Sequence, residues 1–327
     1  MAATPGSGGG HRRGLSSASV KIWIPHEEGR SLLAGLPGDV RLEVVADPKR
    51  APDDRDGVEF WVPPFLALGT AVRLAGELPD LRVVQLLSAG ADAWTGRLPA
   101  GVTLCDARGV HDSSTAEWVL TAILAHLRAF DEFARAQGRH EWANPDFLPT
   151  DELAGKRVLI VGAGSIGAAI RSRLAPFEVE ITMVARTARP AQGVHGVAEL
   201  PNLLPLADVV VLIVPLTDRT RGLVDADFLA AMPAGALLVN AARGPVVDTA
   251  ALVAELTAGR LRAALDVTDP EPLPAGHPLW DLPGLLLTPH VGGAVRGLLP
   301  RAYRLVEAQL RRYLAGEPLA NQVVDGY

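Results

Sequence analysis

Three observations predict an α/β chain of two lobes. First, short runs rich in Val, Ile and Leu alternate with helical stretches in two successive series, one opening at Val20 and the other at Lys156. Strands alternating with helices build parallel sheets with helices on both faces. Second, most runs of the second series are apolar throughout, as strands buried on both faces are. Third, a glycine-rich turn, Gly162 to Gly167 (GAGSIG), joins strand to helix where the second series opens. The predicted fold is a Rossmann-type doubly wound nucleotide domain inserted into a smaller, flavodoxin-like α/β substrate domain.

The first series supplies four strand candidates: Val20 to Pro25, Glu59 to Pro63, Val83 to Ser88 and Val102 to Ala107. Each is a short apolar or β-branched run. Ser114 followed by Glu117 has the spacing of a capping box and predicts a long helix from there to about Phe130. The second series supplies Arg157 to Gly162, Val179 to Ala185, Asp208 to Val214, Gly235 to Ala241, Arg262 to Val267 and Leu285 to Pro289. Their succession fits a doubly wound sheet. Beyond Gly293, apolar residues at helical spacing predict a closing helix to about Leu314. Residues 1–18 are Gly, Ser and Ala without apolar periodicity, which predicts a disordered tail. The expected domains are 19–112 with 296–327 for the substrate domain, and 113–295 for the dinucleotide-binding domain.

Composition narrows the function classes. Hydrophobic residues make up 48% of the 327 and charged residues 21%, enough apolar material for a sizeable core. The net charge of −6 lacks the basic footprint of a nucleic-acid or anionic-membrane binder. The longest apolar run, Val209 to Leu216, is too short to span a bilayer. Cys105 is the single cysteine and cannot form an internal disulfide, so a reducing, cytoplasmic setting is expected. Nothing resembling a catalytic-cysteine signature surrounds Cys105, which reads as a small packed side chain. No metal site is expected.

The glycine turn has the context a dinucleotide fingerprint requires. Gly162 permits the tight turn, Gly164 lets backbone approach a pyrophosphate, and Gly167 lets helix and strand pack closely. Free N–H groups of Ser165 and Ile166, at the helix start, point toward phosphates. The end of the next strand departs from the NAD pattern. Where an acidic residue would bond the ribose 2′-hydroxyl, the chain reads Ala185-Arg186-Thr187-Ala188-Arg189. Arg186 and Thr187, with Arg189 nearby, suit a 2′-phosphate, so NADP is expected ahead of NAD.

Three later motifs each carry a group suited to a 2-oxo acid: Asn240 to Gly244 (NAARG), Asp266 to Pro272 (DVTDPEP) and Leu287 to His290 (LTPH). The fork of Arg243 can clamp a carboxylate and polarise a keto oxygen. His290 suits proton donation, since imidazole titrates near neutrality. Glu271 can hold His290 by a hydrogen bond. Taken singly, each reads as an ordinary loop residue. Their order, on loops after strands of one nucleotide domain, points to one catalytic set.

Here the chain resembles the D-isomer-specific 2-hydroxyacid dehydrogenase family, which includes glyoxylate/hydroxypyruvate reductases and phosphoglycerate dehydrogenases. The motifs are VGAGSIG, VPLTDRTRGLV (Val214 to Val224), NAARGPVVD, GHPLW (Gly276 to Trp280) and LTPHVGG. The resemblance implies hydride transfer from NAD(P)H to a small 2-oxo acid, giving a D-2-hydroxy acid, with Arg243, Glu271 and His290 catalytic. It also implies that Pro215, Thr220, Ala241, Ala242, Asp266 and Gly292 join the glycine turn in holding the cofactor. Ser88, Ala89, Gly90, Arg243 and Trp280 would surround the substrate. A homodimer is implied as well. Two departures concern pocket shape: Thr268 replaces the family's Phe before the Glu region, and Gly292 to Val295 lack its hydroxyl residue. The alternative reading is a non-enzymatic, nucleotide-sensing protein of the same fold, similar to corepressors. A formate dehydrogenase relative is disfavoured, because that branch has an amide where Glu271 stands.

Overall fold

The computed structural model describes residues 19–37, 40–65, 68–143 and 149–324. The tail expected over 1–18 lies outside the described residues. Two all-parallel sheets organise the chain. The first has five strands, β1 (Val20–Ile24), β2 (Val40–Val44), β3 (Val58–Trp61), β4 (Val83–Gln85) and β5 (Thr103–Cys105), in the order β2-β1-β3-β4-β5. That is the flavodoxin-like order. Its two faces are separate cores, because side chains alternate across a strand. Ile22, Ile24 and Phe60 pack on one side, and Trp23, Trp61 and Val84 on the other.

The second sheet has seven strands: β6 (Arg157–Val161), β7 (Glu180–Ala185), β8 (Val194–Gly196), β9 (Val209–Leu212), β10 (Leu237–Asn240), β11 (Arg262–Leu265) and β12 (Leu285–Leu287). Their order, β12-β11-β10-β9-β6-β7-β8, is doubly wound with the switch point between β6 and β9. The same alternation divides its core. Leu159, Val161, Val210 and Leu238 face one apolar layer, and Val158, Ile160, Val211 and Val239 the other. Burying each such side chain contributes roughly 1.5–3 kcal/mol. This two-sided burial explains the unbroken apolar runs.

The first lobe contains helices α1 (Glu28–Leu32) and α2 (Leu68–Ala75). Helix α3 (Asp112–Leu127) carries the chain between lobes, followed by α4 (Phe130–Gly138). Then come α5 (Ser165–Leu174), α6 (Leu200–Leu203), α7 (Ala226–Ala231), α8 (Thr249–Thr257) and α9 (Leu298–Leu314). Helix α9 returns to the first sheet, where Tyr303, Val306 and Leu310 pack with Ile22 and Phe60. Gln309 Nε2 donates to Gln85 Oε1 at 2.9 Å and to the Ala320 carbonyl at 2.8 Å. Cys105 lies fully buried beside this contact, and burial pushes its thiol up to about 12. No helix among the described residues is long and apolar enough to cross a membrane.

Three sequence expectations require correction. The expected capping box does not form: α3 begins at Asp112, and Ser114, already inside the first turn, donates back to the His111 carbonyl at 3.2 Å. Glu117 instead accepts from Ser113 Oγ at 3.1 Å. Two strands were missing from the sequence reading, β2 and β8. Both are edge strands, one mostly half-buried and the other only three residues long, so neither presents a continuous apolar run. The closing helix starts at Leu298 rather than directly after Gly293.

Candidate active site

At the switch point, the loops after β6 and β9 meet. An ideal Cβ on Gly162 (φ 128°) would fall 2.4 Å from the Ile213 carbonyl oxygen, so no side chain fits. A Cβ on Gly167 would fall 2.0 Å from the Gly162 carbonyl oxygen, which is how this helix seats against its strand. Gly164 differs: no heavy atom lies within 4 Å of its Cβ position, leaving an open approach to the backbone. The first-turn N–H groups of Ser165 and Ile166 have no partner within α5, as at any helix start. The turn therefore fits a dinucleotide pyrophosphate by its open backbone and free donors. The Ser165 hydroxyl donates to Asp112 Oδ1 at 3.0 Å, tying the turn to α3.

At the end of β7, Arg186 and Thr187 are exposed. Arg189 reaches back to donate through Nη2 to the Ala163 carbonyl at 2.9 Å. Arg189 is thereby set against the glycine turn. Beyond β9, Thr220 Oγ1 donates to the Pro215 carbonyl at 2.6 Å and accepts from Thr217 N at 2.8 Å. The hydroxyl closes the P-L-T-x-x-T turn on itself.

Arg243 leaves β10 through a turn that Asn240 builds. Buried Asn240 accepts from Ala242 N at 3.0 Å and donates to the Arg243 carbonyl at 3.1 Å. Ala241 and Ala242 form that turn. A Cβ at Gly244 would fall 1.9 Å from the Thr268 carbonyl oxygen, so glycine alone lets the Arg243 loop pass the loop after β11. Arg243 Nε donates to Asp92 Oδ1 at 3.2 Å, and Nη1 donates to the Ala242 carbonyl at 2.8 Å. Asp92 comes from the first lobe, so this ion pair crosses between lobes. A cavity of about 780 Å³ opens beside it, lined by Asp92, Trp94 and Thr95 from the first lobe and by Leu216, Thr217 and Asp218 from the second.

His290 stands after β12 with φ 56°, in the left-handed region. Such a residue needs its backbone held, and Asp266 holds it. The buried carboxylate accepts from Thr288 Oγ1 at 2.6 Å, Val291 N at 2.9 Å and Gly292 N at 2.8 Å. The Asp266 carbonyl accepts from His290 N at 2.7 Å. Gly292 has room for no side chain, since its Cβ would meet Asp266 Oδ2 at 2.9 Å. His290 Nδ1 then lies 2.7 Å from Glu271 Oε1, and both side chains are a little under half exposed.

The substrate-side residues are more scattered. Ser88 Oγ donates to the Gly90 carbonyl at 2.8 Å, closing the loop that also carries half-buried Ala89. Trp280 stands half exposed on the turn Pro278–Asp281, its Nε1 donating to the Pro274 carbonyl at 2.8 Å. Asn240 and Gly244 shape the Arg243 turn and Asp92 is its partner, three roles not among those expected from the sequence. Asn240 and Gly244 lay within a quoted motif. The Asp92 pairing spans 151 positions and leaves no local signal.

Residues 120–292 match the family model described as D-isomer specific 2-hydroxyacid dehydrogenase, NAD binding domain. A glyoxylate/hydroxypyruvate reductase A from Arabidopsis thaliana is 33% identical over 259 residues, covering 78% of this chain and 82% of that one. Among solved structures, a D-isomer specific 2-hydroxyacid dehydrogenase from Xanthobacter autotrophicus Py2, in complex with NADPH and MES, superposes with a TM-score of 0.80. It is 34% identical and covers 95% of this chain and 100% of its own. An NADPH-dependent glyoxylate/hydroxypyruvate reductase from Sinorhizobium meliloti, in complex with NADP and sulfate, also gives 0.80. It is 30% identical, covering 94% of this chain and 99% of its own.

Proposed function

The chain belongs to the D-isomer specific 2-hydroxyacid dehydrogenase family and is an NAD(P)-dependent oxidoreductase; from that premise we propose that it reduces a small 2-oxo acid, glyoxylate or hydroxypyruvate, to the D-2-hydroxy acid. The observation that carries the reading is the pairing of His290 with Glu271 in the same set of loops that carries Arg243. When bound, NADPH or NADH supplies the hydride. Arg243 pairs with the substrate carboxylate and polarises the keto oxygen, oriented by Asp92 and the Ala242 carbonyl. His290 gives up its proton from Nε2 as the carbonyl oxygen becomes a hydroxyl, because Nδ1 is engaged by Glu271. Ser88, Ala89, Gly90 and Trp280 bound the substrate side in this reading.

For the cofactor, we assign contacts to Gly162, Gly164, Ser165, Ile166 and Gly167 at the phosphates and to Arg186 and Thr187 at a 2′-phosphate. Pro215, Thr220, Ala241, Ala242, Asp266 and Gly292 line the rest. NADP is the preferred cofactor, a choice supported by the NADPH and NADP bound in the two solved relatives above. The proposed division is 113–295 for the dinucleotide-binding domain, and 19–112 with 296–327 for the substrate domain. The proposed assembly is a homodimer, for which the exposed Phe130 and Trp142 on and after α4 are candidate contacts. A cytoplasmic setting agrees with the single, buried thiol. A series of 2-oxo acids from glyoxylate to phenylpyruvate, run with both cofactors, tests the reading. It expects kcat/KM to fall as the side chain grows, and a preference for aromatic 2-oxo acids would contradict it.

A further inference from the structure

The reaction proposed above leaves His111 unused. It is the residue just before α3, where the chain crosses between lobes. Its Nε2 lies 2.7 Å from the carbonyl oxygen of Leu87, the first residue of the 87–92 loop. Its other nitrogen faces the turn that carries His290: an ideal Cβ on Gly293 would fall 2.8 Å from His111 Nδ1. That contact requires glycine at 293. The next residue, Asp112, accepts from Ser165 of the dinucleotide turn at 3.0 Å. Residues 111 and 112 thus touch three loops of the site: 87–92, the turn after His290 and the dinucleotide turn.

Burial holds the His111 imidazole below its ordinary value. Hydrogen bonding at Leu87 and Gly293 and the Asp112 charge oppose that shift, and the Arg301 guanidinium adds to it. Phe65 packs edge-on against the ring, with centroids 6.5 Å apart. Tyr303 and His26 lie further along the same aromatic row. A neutral ring donating to Leu87 is the state this surrounding favours.

The geometry points to His111 as a positioning residue: its ring spaces the 87–92 loop, and with it Asp92, the partner of Arg243, from the turn that presents His290. The inference rests on the proposed function only for its kinetic consequences. It concerns no atom that touches substrate.

The test uses the full chain with His111→Leu and His111→Gln. The Gln amide reaches about as far as Nε2, donates, and stays neutral. Hydrogen exchange followed by mass spectrometry should show faster exchange over both 87–92 and 288–293 in His111→Leu, by about tenfold for loss of one buried hydrogen bond. kcat/KM for glyoxylate should fall by about tenfold, with NADPH Kd changed less than about twofold. His111→Gln should recover most of both effects. Unchanged exchange in the two segments of His111→Leu would overturn the inference, as would a Gln variant no better than Leu, which would mean packing alone. Should the wild-type chain reduce no 2-oxo acid, the proposed function fails, while the exchange comparison still decides the role of His111.

Discussion

Nη2 of Arg243 occupies the space a side chain on residue 90 would need: an ideal Cβ on Gly90 would fall 1.5 Å from it. The guanidinium therefore rests directly on the backbone of the substrate-side loop, with Asp92 two residues further on gripping Nε. Gly90→Ala is expected to displace Arg243 while leaving the fold intact. A misplacement of about 1 Å can cost on the order of 10²-fold in rate. Steady-state kinetics should show that loss in kcat/KM for the 2-oxo acid, with NADPH binding retained. Wild-type kinetics in this variant would mean that the seat of Arg243 is unimportant.

Arg243→Lys should be nearly as damaging. A lysine is a point charge and cannot reproduce a two-pronged contact with a carboxylate while holding Asp92. Losing one charge-assisted hydrogen bond costs about 1.5–3 kcal/mol, or roughly ten- to a hundredfold in kcat/KM. If the variant retained full kcat/KM, the clamp assignment would be wrong.

His290→Ala should cripple reduction by about 10²–10⁴-fold, the usual contribution of a positioned acid. NADPH affinity, read by fluorescence titration, should hardly change, because the pyrophosphate and ribose contacts are assigned to the loops after β6 and β7 and not to the His290 side chain. A variant that turned over like the wild type would remove the proton donor from this account.

Much of this site was legible before the fold was known. Arg243, Glu271 and His290 fall in short motifs whose chemistry is local, and the structure brings Glu271 and His290 together at 2.7 Å. The strands buried on both faces were equally legible, because their apolar runs are continuous. What could not be read depends on contacts between distant segments. Gly90 is expected beside the substrate only through the resemblance, and nothing in the sequence says that Arg243 rests against it. Asp266 reads as a cofactor neighbour, yet most of its hydrogen-bonding capacity goes to fixing the turn from Thr288 to Gly292. The Ser114 cap failed because a local spacing rule cannot see that the helix starts earlier, where α3 meets the Leu87 loop through His111.

Cofactor choice should follow the arginines. Arg186 is exposed and Arg189 lies over the glycine turn, with Ala185 offering no carboxylate to repel a 2′-phosphate. The ratio of kcat/KM for NADPH to that for NADH should favour NADPH. Arg186→Ala should lower that ratio by about tenfold, as for loss of one charge-assisted bond. An enzyme that preferred NADH would reduce these arginines to surface charge.

Acid should weaken the fold through buried histidines. Burial lowers His126 from its ordinary 6.5, against the opposing hydrogen bond to the Ala263 carbonyl. The folded value lies below the unfolded one, so the unfolded chain binds more protons in this window. Stability is then full above the unfolded value and is lost as pH falls toward the folded one. Tm should drop between about pH 7 and pH 5, and His126→Gln should flatten part of that slope. A slope unchanged by the substitution would place the acid sensitivity elsewhere, His26 and His111 being lowered in the same direction by burial.

The most direct test of the reductase assignment follows both products of one reaction. Purified chain, NADPH and hydroxypyruvate are combined, NADPH loss is recorded, and the glycerate formed is resolved by chiral chromatography. One D-glycerate is expected for each NADPH consumed, with both signals falling together in His290→Ala. NADPH that stays unoxidised, or L-glycerate as the product, would contradict it.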